Sequence, residues 1–350
     1  MFVVASSLLI VAFILSFLEE YLSFRVKLSI LAGMAVIMVC MSTFKDLNTT
    51  ADARFYLDYF QNNDDPLIEV MTEPTYIYLS RLLIYMGLGI EVLLFIYAII
   101  TIPTKLAVIN KLTPYVFTAL LIYIPAYYLL QDVVQIRAGA AAAFLFLSLY
   151  MVCEKKYVFA VLAFITAILF HYSAIAFLPV FIWGNRKLYL PVRILLALLV
   201  PLGFLMYFKE MDLLSFLPSS LTQGKVDFYK DSAEKGSQFA EYVLPYKNFY
   251  LMVRCLLLFV CLIFYKSIIM EMKYANIIMV MLAASIFVKL SMSTIPVIAG
   301  RLSDLYGITD CIAFSYCLSF VKPSWIVKCG IFGVGLYVLV YNYLHSGFIV

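Results

Sequence analysis

A chain of 350 residues that is 65% hydrophobic and 13% charged, with a net charge of +4, carries too much apolar surface for a water-soluble core. A soluble domain is roughly half apolar and a quarter charged, so the bilayer is the solvent here and the spans are helices, which close their backbone hydrogen bonds within one segment. The cations are scattered, with no basic run of the kind that grips nucleic acid.

In chain order, hydrophobic runs predict helices near 2–18, 28–44, 75–88, 90–108, 113–130, 134–152, 157–170, 172–184, 193–208, 248–266, 274–291, 301–320 and 324–344. Together they predict an all-α polytopic membrane protein, a single integral membrane domain over 1–350, with about 10–13 transmembrane or re-entrant helices. The first run, Phe2 to Leu18, lacks a basic start and a small-residue cleavage site, and reads as a retained span. The runs 75–88, 157–170 and 172–184 fall short of the ~20 residues a span needs; they read as half-helices, re-entrant segments or tilted pieces.

Two polar segments interrupt the pattern. Residues 45–73 hold seven acids against two bases, and residues 209–247 hold five lysines and six acids. Connections elsewhere are basic: Lys105 with Lys111, Lys155 with Lys156, Arg186 with Lys187 and Arg193, Lys266 with Lys273, and Lys322. The positive-inside bias places those connections in the cytoplasm and both large loops outside. The crossing count closes if 75–88 is an outer-side re-entrant or interfacial element, the alternative being that the acidic loop lies in the cytoplasm, and if 157–170 and 172–184 form a pair returning to the cytoplasmic side.

Ionisable groups within apolar sequence are costly and mark function. Four arginines are so placed: Arg81, Arg137, Arg254 and Arg301. Arg301 has Asp304 one turn on, and Arg137 has Asp132 and Gln135 nearby, at the start of a helix rich in Gly139 and alanines. A planar guanidinium fork grips phosphate in two bonds, so converging arginines suit a lipid-linked pyrophosphate; intramembrane ion pairing that fixes helix packing is the other reading. His171, in LFHYSAI, is either a base for a sugar hydroxyl or a cap at a helix break with Tyr172 and Ser173. The stretch TTADARFYLDYFQNNDDP reads as an amphipathic helix with Phe55 and Tyr59 on its apolar side. Its Asp52 and Asp58 are candidates to activate a hydroxyl, and Arg54 to hold an anion.

No P-loop, nucleophile elbow or dinucleotide fingerprint is present. The seven cysteines lie in or beside apolar runs and read as helix packing. No metal site is expected.

The order DARFYLDYF, EPTYIYLSRLL, QIRAGAAAAFLFLS, EKKY, FHYSAIAFLP and IAGRLSDLY resembles the EpsG family of bacterial membrane proteins, grouped with Wzy-type polysaccharide polymerases, over residues 30–345. The block from QIRAG to FHYSA carries the likeness most specifically. The resemblance implies a GT-C-like glycosyltransferase without cofactor or metal, in the bacterial inner membrane with its active site facing the periplasm or cell exterior. Its implied partners are an undecaprenyl-pyrophosphate-linked oligosaccharide, membrane lipid, a chain-length regulator and a flippase, with no nucleic acid. It implies an O-antigen, capsule or exopolysaccharide polymerase that moves a growing glycan from undecaprenyl pyrophosphate onto a lipid-linked repeat unit. On that reading Arg137, Arg254 and Arg301 (with Gln135 and Asp304) bind pyrophosphate, Arg54 and Arg81 hold the second substrate, and His171, Asp52 or Asp58 activates the acceptor. A polysaccharide-unit flippase or transporter, an O-antigen ligase and a membrane acyltransferase are the rival readings.

Overall fold

The computed structural model describes residues 1–47, 51–62, 72–211, 247–293 and 296–345, and every element among them is helical. The chain divides into two compact units. The first, Met1–Gly184 with Val321–Val350, opens with α1 (Phe2–Leu18), α2 (Phe24–Thr43), α3 (Ala51–Gln61), α4 (Pro74–Tyr85), α5 (Ile90–Leu112), α6 (Val116–Val134), α7 (Ile136–Cys153), α8 (Tyr157–Phe170) and, after a 3₁₀ turn, α9 (Pro179–Trp183). The second unit, Asn185–Phe320, holds α10 (Leu190–Phe208), α11 (Phe249–Ile263), α12 (Tyr265–Glu271), α13 (Ala275–Ser291), α14 (Pro296–Gly307) and α15 (Asp310–Ser315). The last helix, α16 (Ser324–His345), belongs to the first unit.

Among the described residues six helices, α2, α5, α6, α7, α10 and α16, are long and apolar enough to cross a membrane, and the bent pair α11–α12 is either a broken span or a re-entrant loop. Shorter apolar helices lie at 2–18, 157–170, 172–183 and 275–291. The protein is a polytopic α-helical membrane protein. The expected loop over 209–247 falls almost wholly outside the described residues, as do 63–71 of the acidic segment.

Helices of the first unit alternate between two ends. At one end Glu19, just past α1, accepts from the Phe117 and Thr118 N–H groups at 3.0 and 3.2 Å and from the Thr118 hydroxyl at 2.5 Å. It thereby caps the start of α6, whose first donors have no partner within the helix. Lys328 donates to the Ser16 carbonyl at 2.7 Å, which draws α16 to the same end. At the opposite end Lys45, past α2, donates to the Val133 carbonyl at the close of α6.

Both α3 and α4 lie at this second end. The Tyr76 hydroxyl donates to the Tyr56 carbonyl at 2.6 Å, and Thr75 donates to the Leu169 carbonyl at 2.9 Å. Tyr97, early in α5, packs edge-on to Phe170 with centroids 5.4 Å apart. The chain therefore leaves α2 and enters α5 at one end, with α3 and α4 both lying there. The segment after α8 turns back: Phe164 meets Phe181 edge-on at 5.0 Å, and Gly184 comes beside Val152.

Lys105 corrects the sequence reading. It is not in a basic connection but inside α5, fully buried, with Nζ 2.7 Å from Asp132 and 3.0 Å from the Gln131 amide oxygen. Tyr123 donates to the other Asp132 oxygen at 2.9 Å. A lysine is tolerated at this depth because its counter-charge and further hydrogen bonds are in place. Asp132 is thus the partner of Lys105 and not of Arg137.

The second half of α6, Tyr123–Val134, is π-helical. Gly139 of α7 fits against it: a Cβ there would come 2.1 Å from the Gln131 carbonyl oxygen. Ala140 to Ala143 are all fully buried, so the small-residue face is filled by neighbouring helices.

In the second unit, Gly203 lets α10 approach α13, where a Cβ would meet Leu290 at 2.9 Å. Two expected single helices are broken. The 248–266 run bends by 83° between α11 and α12, where Tyr265 is pinned by hydrogen bonds to Asn276 and Leu188 N–H. The 301–320 run stops at Gly307 and resumes at Asp310; glycine is a poor helix former.

Candidate functional site

Three ionisable groups from distant parts of the sequence meet at the second end of the first unit. Glu73 precedes Pro74, the first residue of α4, where proline's fixed φ and missing N–H are tolerated. Arg137 lies in the first turn of α7, directly after the π-helical end of α6. His171 ends α8 in an extended conformation, φ −159° and ψ 118°, which turns its ring away from the helix axis.

Glu73 joins the other two. Its Oε1 is 2.5 Å from His171 Nδ1 and its Oε2 is 2.5 Å from Arg137 Nη1. Glu73 itself is 5% exposed. Burial pushes its carboxyl up, but the His171 hydrogen bond and the Arg137 charge outweigh that and hold it at about 2. It is therefore ionised throughout the physiological range. An ionised carboxylate accepts only, so Nδ1 of His171 carries the proton and, in the neutral ring, Nε2 presents its lone pair. This is the carboxylate–imidazole relation that orients a general base.

The walls are aromatic. Arg137 Cζ stands 5.5 Å from the centre of the Tyr56 ring and 5.8 Å from that of Tyr76. Tyr97 and Phe170 extend the cluster, and Phe144 stacks on Phe170 at 5.4 Å. A guanidinium held over aromatic faces keeps its planar fork in one orientation.

The other sequence candidates fall in several places. On α3, Ala53, Tyr56 and Phe60 are buried while Arg54, Phe55, Asp58 and Gln61 are exposed. The apolar side is thus Tyr56–Phe60, not Phe55–Tyr59: period 3.6 admits either pair, and packing against Tyr76 selects one. Arg54, Phe55, Leu57, Asp58 and Gln61 line an open cleft of about 420 Å³. Asn62 donates to Asp58 at 3.1 Å. Asp52 is half-buried and acts through space on Lys45. Arg81 is half-buried on α4, eight residues past Glu73, or about 12 Å along the helix. Gln135 is the junction between α6 and α7, its N–H bonded to the Leu130 carbonyl.

Arg254, Arg301 and Asp304 belong to the second unit. Arg254 is 4% exposed; its Nε is 2.6 Å from Asp310 and its Nη2 bonds Ser285. Ser285 and Ser303 exchange bonds of 2.6 and 3.0 Å between α13 and α14. Asp304 has Lys289 and Arg254 as charged neighbours. Arg301 is half-buried on α14.

Glu73 is the residue the sequence reading missed. Residues 45–73 hold seven acids, and nothing in their order distinguishes the last. The signal available was its place directly before Pro74 at the head of an apolar run.

The family model described as the EpsG family matches residues 28–349. The amylovoran biosynthesis protein AmsC of Erwinia amylovora is 24% identical over 262 residues, which cover 73% of this chain and 66% of that protein. The match thus spans just under two thirds of that relative's length. No solved structure matches.

Proposed function

The chain belongs to the EpsG family, and from that premise we propose that it is a polysaccharide polymerase, a glycosyltransferase that uses lipid-linked sugars. The growing glycan leaves undecaprenyl pyrophosphate and joins a hydroxyl of a lipid-linked repeat unit. The observation that carries this reading is Glu73 bridging His171 and Arg137 at 2.5 Å each, at one end of a membrane bundle.

Each residue has a defined part. His171 Nε2 takes the proton of the acceptor hydroxyl as that oxygen attacks the anomeric carbon. Glu73 holds the ring in the required tautomer and stabilises the imidazolium that forms. The bond from the anomeric carbon to the pyrophosphate oxygen breaks, and the electron pair leaves with the pyrophosphate. Arg137 gives one donor to Glu73 and another to the Tyr56 hydroxyl, and turns those left over to the charge developing on that leaving group. Arg54 and Asp58, along the α3 cleft, hold the sugars of the second substrate.

The proposed orientation is outward. The opposite end of the first unit carries Arg25, Lys27, Lys111, Lys155, Lys156 and Lys328 against Glu19, Glu20 and Glu154, which the positive-inside bias assigns to the cytoplasm. Support from the relative is its role in amylovoran biosynthesis.

The test is glycan profiling by gel of a strain lacking the protein, complemented with wild type or His171→Gln. Wild type is expected to restore long chains, and His171→Gln to leave single repeat units at equal expression. Lipid-linked units trapped on the cytoplasmic face would instead make the protein a flippase. Full-length polymer lacking only a substituent would make it an acyltransferase.

A further inference from the structure

Lys45 stands beside this site, and the chemistry above does not use it. It is 8% exposed. Its Nζ donates to the Val133 carbonyl, two residues before Gln135, and stands 6.0 Å from the centre of the Tyr56 ring. Arg137 approaches the same ring at 5.5 Å. Two cations thus converge on one tyrosine, at most about 12 Å apart.

Their counter-charges differ in kind: Arg137 has a direct ion pair with Glu73, and Lys45 has only a through-space neighbour. Glu73 is committed to Arg137 and His171. Asp52 acts on Lys45 only through space, and no described carboxylate makes an ion pair with it. An ammonium has three donors, and one meets the Val133 carbonyl. Burial pushes Lys45 down to about 8, with Asp52 opposing. A methionine would fill similar space without the desolvation cost of a buried cation. The charge therefore has a reason outside the folding energy, or else Lys45 serves to cap the carbonyl end of α6.

We propose that Lys45 is the second cation of an anion-binding locus, acting with Arg137 across Tyr56, and that its ligand is the diphosphate of a polyprenyl-linked sugar. The inference rests on the polymerase reading. A diphosphate takes charge-assisted hydrogen bonds at both of its phosphates, so two cations facing one tyrosine suit it better than either alone.

The experiment uses the full chain in phosphatidylcholine nanodiscs, with geranylgeranyl diphosphate as the probe and geranylgeraniol as its uncharged control. Lys45→Met is expected to weaken diphosphate binding at least tenfold, to leave Tm unchanged or higher, and to leave geranylgeraniol binding alone. Lys45→Arg is expected to bind within threefold of wild type. A Lys45→Met variant that loses Tm or fails to fold, while Lys45→Arg binds no better than Met-level controls, makes Lys45 a helix cap and overturns the proposal. Equal diphosphate affinity in wild type and Lys45→Met overturns it while leaving the polymerase reading intact. Absence of diphosphate binding in a wild type that still supports polymer growth overturns it too; absence of both sinks the polymerase reading itself. Loss of probe binding when phosphatidylglycerol replaces phosphatidylcholine assigns the locus to bulk lipid headgroups, against the proposal.

Discussion

Replacing Glu73 by glutamine changes one atom's chemistry and removes the charge shared by Arg137 and His171. The fall of the Glu73 carboxyl from its ordinary 4.5 to about 2 corresponds to about 3 kcal/mol of preference for the charged form, at about 1.36 kcal/mol per tenfold change in proton affinity. Breaking a buried pair from one side costs about 3–5 kcal/mol, because the remaining charge is left without a partner, so the two routes agree. Because the folded-state value is depressed, this stability is fully present above about 4.5 and is lost as pH falls toward about 2. Between pH 5 and 8 the Glu73 carboxylate is therefore fully ionised, and Glu73→Gln lowers Tm by several degrees at neutral pH. Its effect on rate is larger. Glutamine offers His171 either a carbonyl or an amide, so the tautomer is no longer dictated, and polymer synthesis falls by about a hundredfold or more. Glu73→Asp keeps the charge, shortens the reach, and recovers part of both losses. The assay pairs thermal unfolding in detergent with a time course of chain elongation from purified lipid-linked repeat units. Elongation by Glu73→Gln within threefold of wild type would refute the assignment of His171 as an oriented base.

Two further perturbations test the scaffold. Lys105→Met strands Asp132 in the bundle and is expected to cost about 3–5 kcal/mol, whereas Lys105→Met with Asp132→Leu removes both charges and costs less; thermal unfolding of the two variants distinguishes the cases, and a double variant less stable than the single one contradicts the pairing. Burial pushes the Glu19 carboxyl up to about 7 against the pull of its Thr118 hydrogen bonds. A raised value means that the folded state holds its proton longer, so stability falls as pH rises from about 4.5 through about 7 and is flat above. Glu19→Gln flattens that slope in a Tm-against-pH series.

What the sequence determined was the class of molecule and the position of its helices. With 65% hydrophobic residues, the solvent and the secondary structure follow from backbone hydrogen bonding alone. The short length of α4 was legible too, because the run at 75–88 falls short of a span in the sequence itself. Arg137 and His171 were visible as costly groups in apolar sequence. Their partner was not. Glu73 lies 64 residues from Arg137 and 98 from His171, and before folding it is one acid in a segment full of them. Lys105 misled for the converse reason: a lysine near the end of a hydrophobic run reads as a boundary unless its counter-charge is known, and Asp132 lies 27 residues on, in another helix. Arg254 was equally ambiguous until Asp310 and Ser285 met it. Hydropathy is additive along a chain, so one dimension suffices to read it. Ion pairing depends on distances in three dimensions, and in a low-dielectric bundle it decides which costly residues anchor helices and which meet at a site.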